Sequence, residues 1–231
     1  MKLVKFALIA VLCGGMLATT GCNMSKTGKG ALIGGGGGAG LGAAVGALIG
    51  GGKGAAIGAG VGAAVGAGAG ALIGNKMDKQ QKELEAQLAQ QAQIEKTQDA
   101  NGLQAIKVTF EGGILFPTNG TTLSAGAKTD LSKFATSLLE NPDTDVAIYG
   151  FTDNTGSLQV NERVANGRAD AVENYLVQQG VTPSRLSAQG LPMQDYVASN
   201  DTPAGRAQNR RVEIYIYASK AMIEKAEAGT L

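Results

Sequence analysis

The chain has 231 residues, 36 of them glycine against 5 phenylalanines, 5 tyrosines and no tryptophan, so glycine and core-forming residues cannot be spread evenly over one packed core. Lys+Arg of 20 against Asp+Glu of 19 leave a formal net charge of +1, which supplies no bulk attraction to nucleic acid or to an anionic surface. There is no histidine, which removes the usual general base near neutral pH, the commonest metal ligand and every Ser-His or Cys-His nucleophile arrangement; the expectation is a protein that is not an enzyme and carries no cofactor or metal.

Residues 1–21 read as an export signal: Lys2 and Lys5 form a basic start, and residues 6–12 form an apolar stretch too short to span a bilayer. Leu17-Ala18-Thr19-Thr20-Gly21-Cys22 resembles the bacterial lipobox, with Thr19 where that pattern usually has leucine. The resemblance implies that Cys22 is lipidated and becomes the mature N-terminus, followed by a tether over residues 22–29. Cys13 would leave with the signal, so the mature chain keeps one cysteine and has no internal disulfide. In lipoproteins of this kind an aspartate after the cysteine often retains the protein at the inner membrane. Asn23 in that place implies sorting to the outer membrane.

From Gly30 to Gly74 a glycine falls at every fourth position without a miss. Four helical steps return almost to the starting azimuth, so these glycines would line one smooth groove in which another backbone can approach closely. The pattern resembles the glycine-zipper segment of bacterial envelope proteins. Residues 31–50 and 54–74 are uncharged and each about 30 Å long as helices. Residues 30–75 are therefore expected to form a helical hairpin turning near Lys53. Each glycine costs about 0.8 to 1 kcal/mol of helix propensity, so the hairpin needs lipid, self-packing or oligomer contacts. A membrane-embedded hairpin, an oligomerising hairpin at the membrane surface and a flexible spacer all fit this stretch.

Residues 76–102 follow as a linker. Residues 76–98 are almost wholly good helix formers with charges of both signs, which predicts a solvated helical spacer about 34 Å long. Met77, Leu84 and Leu88 make only a fragment of a heptad stripe, too little for a coiled coil. Asp99 to Gly102 ends the helix as a turn.

The globular part is expected over residues 103–218, with 219–231 as a tail. Residues 105–110 alternate as a strand, and 112–117 read as a second short strand stopped by Pro117. Ser124 is placed to cap a helix whose apolar positions are Ala127, Leu131, Phe134, Ala135 and Leu138. A buried strand is expected over 145–151, then a longer helix with Val160, Val164, Ala171, Val172, Tyr175 and Leu176 inward, then strands over 185–190 and 211–217. This alternation predicts an α/β (α+β) two-layer sandwich with a mixed sheet.

Asp153 ends the strand that feeds the longer helix, while Asn161 and Arg168 lie seven apart on nearly one face of that helix. An acid and a guanidinium held apart at a strand end suit a small zwitterion, because arginine can grip a carboxylate through two parallel bonds. Taken by themselves, without the surrounding motif, the two charges are better read as pairing with each other at the surface. Arg211 and Glu213 read as solvated charges on a strand face.

Thr152-Asp153-Asn154-Thr155-Gly156, Asn161-Glu162-Arg163, Gly167-Arg168-Ala169 and the run from Gly205 through Asn209, Arg210 and Arg211 to Glu213 resemble the OmpA-like C-terminal domain, over roughly residues 105–217. With the lipobox and zipper ahead of it, the whole chain is similar to outer-membrane lipoproteins of the YiaD type. The resemblance implies noncovalent binding of peptidoglycan through the diaminopimelate of its stem peptide. Asp153 would face the ammonium and Arg168 the carboxylate, with Asn161, Thr155 and Arg210 completing the wall. It also implies an outer-membrane lipid anchor, a domain in the periplasm, and membrane lipid, peptidoglycan and possible homo-oligomers as partners, without nucleic acid. The runner-up is a regulatory or assembly factor whose zipper oligomerises and whose C-terminal domain only localises it. A stator-like role would need an ionisable residue within residues 31–50, which have none. Where the family usually has an aspartate after Phe116, this chain has Pro117.

Overall fold

The computed structural model describes residues 65–99, 101–117 and 120–231. The expected signal, the Cys22 anchor, the tether and most of the glycine hairpin lie outside them. Residues 67–74, expected to close the hairpin, form the first two turns of helix α1 (Ala67–Leu88). Among the described residues no helix is long and apolar enough to cross a membrane.

The alternating apolar pattern produces a five-stranded mixed sheet in the order β1-β2-β5-β3-β4. The strands are β1 (Gln93–Gln98), β2 (Gln104–Glu111), β3 (Thr144–Phe151), β4 (Leu186–Leu191) and β5 (Arg211–Ala218). Only β3 and β4 run parallel among the pairs; β1 with β2, β2 with β5 and β5 with β3 are antiparallel. The helices are α1, α2 (Gly112–Leu115), α3 (Ala125–Glu140), α4 (Leu158–Gln178), α5 (Pro203–Asn209) and α6 (Lys220–Glu227), with one 3-10 turn at Pro183–Arg185. Ile106, Val108 and Phe110 of β2, Ile148 of β3 and Ile214 and Ile216 of β5 pack with Leu131, Phe134 and Leu138 of α3 and Val172 and Leu176 of α4 in the main core. Alternate residues of the same strands, with Leu191 of β4, form a second cluster from Ala105, Ala147, Tyr149, Phe151, Tyr215 and Tyr217, with Tyr149 and Tyr215 edge to face at 5.7 Å. The mixed sheet of the expected α/β fold is thus present.

Several elements differ from the expectation. The solvated helix over 76–98 is instead a packed helix followed by a strand. Ile73, Met77, Leu84 and Leu88 all lie fully buried in the main core, and Gln80 and Gln81 are buried on the same side. The sparse apolar stripe therefore belongs to a helix face that docks on the domain. Helical composition over 93–98 yields to ladder pairing, which joins β1 to β2 from Gln93↔Thr109 to Gln98↔Gln104. The expected second strand over 112–117 is the short helix α2. Gly112 donates its N–H to the Arg210 carbonyl at 2.7 Å, at an approach that leaves no room for a Cβ, and the chain turns there to sink Leu115 and Phe116 into the core. The tail carries α6, capped by the Ser219 hydroxyl accepting from Met222 N–H at 3.2 Å and seated through Met222, Ile223 and Ala226.

Two junctions hold the layers in place. Arg185 donates to the carbonyls of Thr144, Leu138 and Asn141 at 2.7, 3.0 and 2.9 Å, satisfying the C-terminal carbonyls of α3 and the start of β3 together. At the other junction Gly150 of β3 and Gly190 of β4 stand side by side in register. A Cβ on either would lie within 3.0 Å of backbone at Ala165 and Asn166, so α4 rests directly on bare strand backbone there. The close approach fixes the height of α4 above the sheet, and α4 carries two of the residues expected in the site.

Candidate functional site

β3 ends at Phe151, and the chain leaves the sheet through Thr152 and Asp153, both buried. Asp153 Oδ1 accepts the Thr155 N–H at 2.8 Å, which closes a tight turn. Gly156 continues it at φ +89, a conformation that favours glycine. Ser157 then caps α4. Asn161, one turn in, donates its amide to the carbonyls of Thr155 and Ser157 at 2.9 and 3.0 Å. Its donors thus brace the turn from below while the residue lines the cleft.

The inward face of α4 is Asn161, Ala165, Arg168, Ala169, Val172 and Leu176. Of the expected stripe, Val160 instead stands 45% exposed and Val164 half-buried, both on the wall of a cleft of about 310 Å³. The other lining residues include Thr152, Asp153, Thr155, Asn161, Arg168, Arg206 and Arg210. All five residues expected to meet a ligand, Asp153, Thr155, Asn161, Arg168 and Arg210, therefore come together around one cavity.

Asp153 and Arg168 do not pair with each other. Arg168 is only 3% exposed; its Nε donates to the Gly120 carbonyl at 3.1 Å and its guanidinium lies 5.3 Å from the centre of the Phe116 ring. Its Nη1 is buried without a hydrogen-bond partner among the described residues. Burial and the nearby Arg210 charge draw its pKa down, and Asp153 opposes them. Asp153 is engaged by Arg210, Nη1 to Oδ2 at 2.6 Å. Burial alone would raise the Asp153 pKa. The hydrogen bond from Arg210 and those from Thr155 outweigh it, so the carboxyl sits below its usual range and stays ionised at neutral and mildly acidic pH.

Arg206 was not singled out by the sequence reading. It lies four residues before Arg210 on α5 and donates to the Asn200 carbonyl at 2.7 Å, and that helical spacing inside the motif is the signal that could have found it. Asn209, fully buried, accepts from Val197 and Ala198 N–H and donates to the Ala198 carbonyl and Asn200 Oδ1, which ties the 192–202 loop to α5.

Arg211 and Glu213, expected to be solvated, are 4% and 5% exposed. Arg211 Nε meets Glu213 Oε1 at 2.6 Å, its guanidinium lies 3.9 Å from the centre of the Phe151 ring, and Nη2 donates to the Asp195 carbonyl at 3.0 Å. Glu213 Oε2 accepts the Tyr215 hydroxyl at 2.7 Å. These two charges are an internal staple between β5 and the 192–202 loop.

Residues 115–210 match the OmpA family and residues 37–81 the glycine zipper. The chain is 40% identical over 109 residues to "Probable lipoprotein YiaD" of Escherichia coli (strain K12), covering 47% of this chain and 50% of that protein. It is 41% identical over 112 residues to "Peptidoglycan-binding protein ArfA" of Mycobacterium tuberculosis (strain ATCC 25618 / H37Rv), covering 48% of this chain and 34% of that one. The aligned part thus spans half or less of these relatives' own length. Among solved structures, the fold is similar to the cell wall anchor of the T6SS from Pseudomonas aeruginosa, with 26% identity, a TM-score of 0.53, and 60% of this chain and 97% of that one covered. A putative MotB like protein from Desulfovibrio vulgaris aligns at 25% identity with a TM-score of 0.52, over 65% of this chain and 92% of that one.

Proposed function

We propose that this protein binds peptidoglycan noncovalently through the Asp153–Arg168 cleft, taking the charged side-chain end of stem-peptide diaminopimelate, and that it tethers the outer membrane to the wall through a lipidated Cys22. The observation that carries the reading is Arg168: a buried guanidinium with Nη1 unpartnered among the described residues, in the same cavity as an ionised carboxylate that it does not touch. A buried donor left unmet is costly, and an incoming carboxylate repairs that deficit with charge-assisted bonds of about 1.5 to 3 kcal/mol each. Asp153 offers the complementary pole for the ammonium, and Thr155 and Asn161 complete the wall between them. Similarity to a relative named for peptidoglycan binding and to a solved cell wall anchor supports the same assignment. The role is holding, not turnover: a carboxyl kept below its usual range is a poor general acid.

Co-sedimentation with purified diaminopimelate-type sacculi tests the cleft. Asp153→Asn and Arg168→Lys are each expected to weaken binding by about 10-fold or more, since one charge-assisted contact is lost in each. Wild-type retention of both variants, with unchanged circular dichroism, would remove the reading. The anchor is tested separately by metabolic palmitate labelling, which should disappear in Cys22→Ser together with membrane retention of the protein. The zipper match over 37–81 supports a second reading, in which self-association through that segment is the main activity and the domain localises it. In that case both cleft variants mislocalise the protein without altering its oligomers.

A further inference from the structure

Within the proposed peptidoglycan reading, on which this rests, we infer that Arg210 sets the specificity of the cleft by occupying the ammonium subsite until a ligand bearing both an ammonium and a carboxylate displaces it. The Arg210 guanidinium stands on Asp153 Oδ2 at 2.6 Å while Oδ1 is taken by the Thr155 N–H at 2.8 Å, so both oxygens are engaged by the protein itself. The two partners are unequal: the Asp153 side chain is 8% exposed and fixed by its turn, whereas that of Arg210 is 41% exposed and can swing. An arriving ammonium must therefore meet a cation already seated where it has to bind.

Charge decides which ligands can do this. The cavity is lined by one carboxylate, Asp153, and three guanidiniums, Arg168, Arg206 and Arg210. Releasing Arg210 into a cleft that already holds Arg168 and Arg206 raises like-charge repulsion, in keeping with an Arg168 pKa drawn down by burial first and by the Arg210 charge second. A plain amine displaces Arg210 and leaves three unneutralised cations behind. A zwitterion places its ammonium on Asp153 and gives the released Arg210 and the Arg168 Nη1, unpartnered among the described residues, a shared carboxylate. Arg210 thus acts against amine-only ligands rather than for any one contact, which is how discrimination is built when attraction alone would accept both.

Calorimetric titration of the full chain with two soluble muropeptides tests this, one ending in diaminopimelate and one in lysine, whose side chain carries an ammonium without the carboxylate. The wild type is expected to prefer the diaminopimelate form by about 10-fold or more. In Arg210→Met, with Arg210→Gln as a second variant, lysine-form binding should strengthen by up to about fivefold as Asp153 is freed, and the preference should fall to about threefold. An unchanged preference, equal weakening toward both muropeptides, or a wild type that fails to discriminate overturns the inference. Asp153→Asn and Arg168→Lys run alongside: their retention of binding would instead defeat the peptidoglycan reading itself, so the two failures are separable.

Discussion

Gly150→Ala is expected to destabilise the domain by about 3 kcal/mol or more, a drop of about 6 to 12 °C in Tm by differential scanning fluorimetry. The new methyl would sit within 3.0 Å of the Ala165 carbonyl oxygen, a backbone atom that cannot rotate aside. Gly190, its register neighbour, faces the same helix at Asn166 and Ala165, so the strand cannot shift sideways to relieve the clash. Relief requires α4 to lift, and α4 carries Asn161 and Arg168. Under the proposed function, peptidoglycan binding should therefore fall in the fraction that still folds, which links a substitution outside the cleft to the cleft itself. Gly126→Ala is the control: it lies in α3 with only the Ser124 hydroxyl oxygen near, at 4.0 Å, and alanine there should be neutral or stabilising. A Gly150→Ala variant melting with the wild type would show that the helix does not rest on the strands as described.

Arg211→Met should cost about 3 to 5 kcal/mol, because it leaves Glu213 as a buried carboxylate with only the Tyr215 hydroxyl to meet it. It also removes the bond to the Asp195 carbonyl and the cation lying on Phe151, so the 192–202 loop should become protease-sensitive before the sheet unfolds. Adding Glu213→Gln removes the stranded charge while keeping an acceptor for Tyr215, and the double variant should recover a large part of the loss in urea unfolding. Recovery of nothing would mean that the pair acts through packing rather than charge. Burial, then Glu213, raise the Tyr215 hydroxyl pKa, so Tyr215 stays a hydrogen-bond donor throughout any pH range in which the protein is handled.

The cleft was legible in the sequence because its residues sit at fixed local offsets: Asp153 two residues past the end of β3, Asn161 one turn into α4, and Arg168 two further turns on. Local geometry of that kind survives whatever the rest of the fold does. The main strands and α3 were legible for the same reason, through alternation and the Ser124 cap, which accepts from Ala127 N–H at 3.0 Å. What failed were the features decided by distant partners. Residues 93–98 have helical composition, and only pairing with β2 makes them a strand. Arg211 and Glu213 alternate along β5 like outward charges, and only the loop carrying Asp195 encloses them. Val160 fits the helical apolar period, yet it opens onto the cleft because Asn161 and Arg168 take the inward face. The two polar residues that break the stripe marked the cleft wall, and an unbroken apolar stripe would have placed α4 as ordinary core.

The docking of α1 changes how the protein would bear force. A free helix over 76–98 would serve as a rod, adding reach between an anchor and its target. Instead Ile73, Met77, Leu84 and Leu88 are sunk into the core, each contributing about 1.5 to 3 kcal/mol, with Asp78 reaching Lys96 and Lys76 reaching Asp143 at the margin. If the proposed tether through Cys22 holds, tension between membrane and wall would enter the described part of the protein at α1, which starts at Ala67. Yielding would then begin by peeling that helix from the domain, which lengthens the connection while the grip on the wall remains intact.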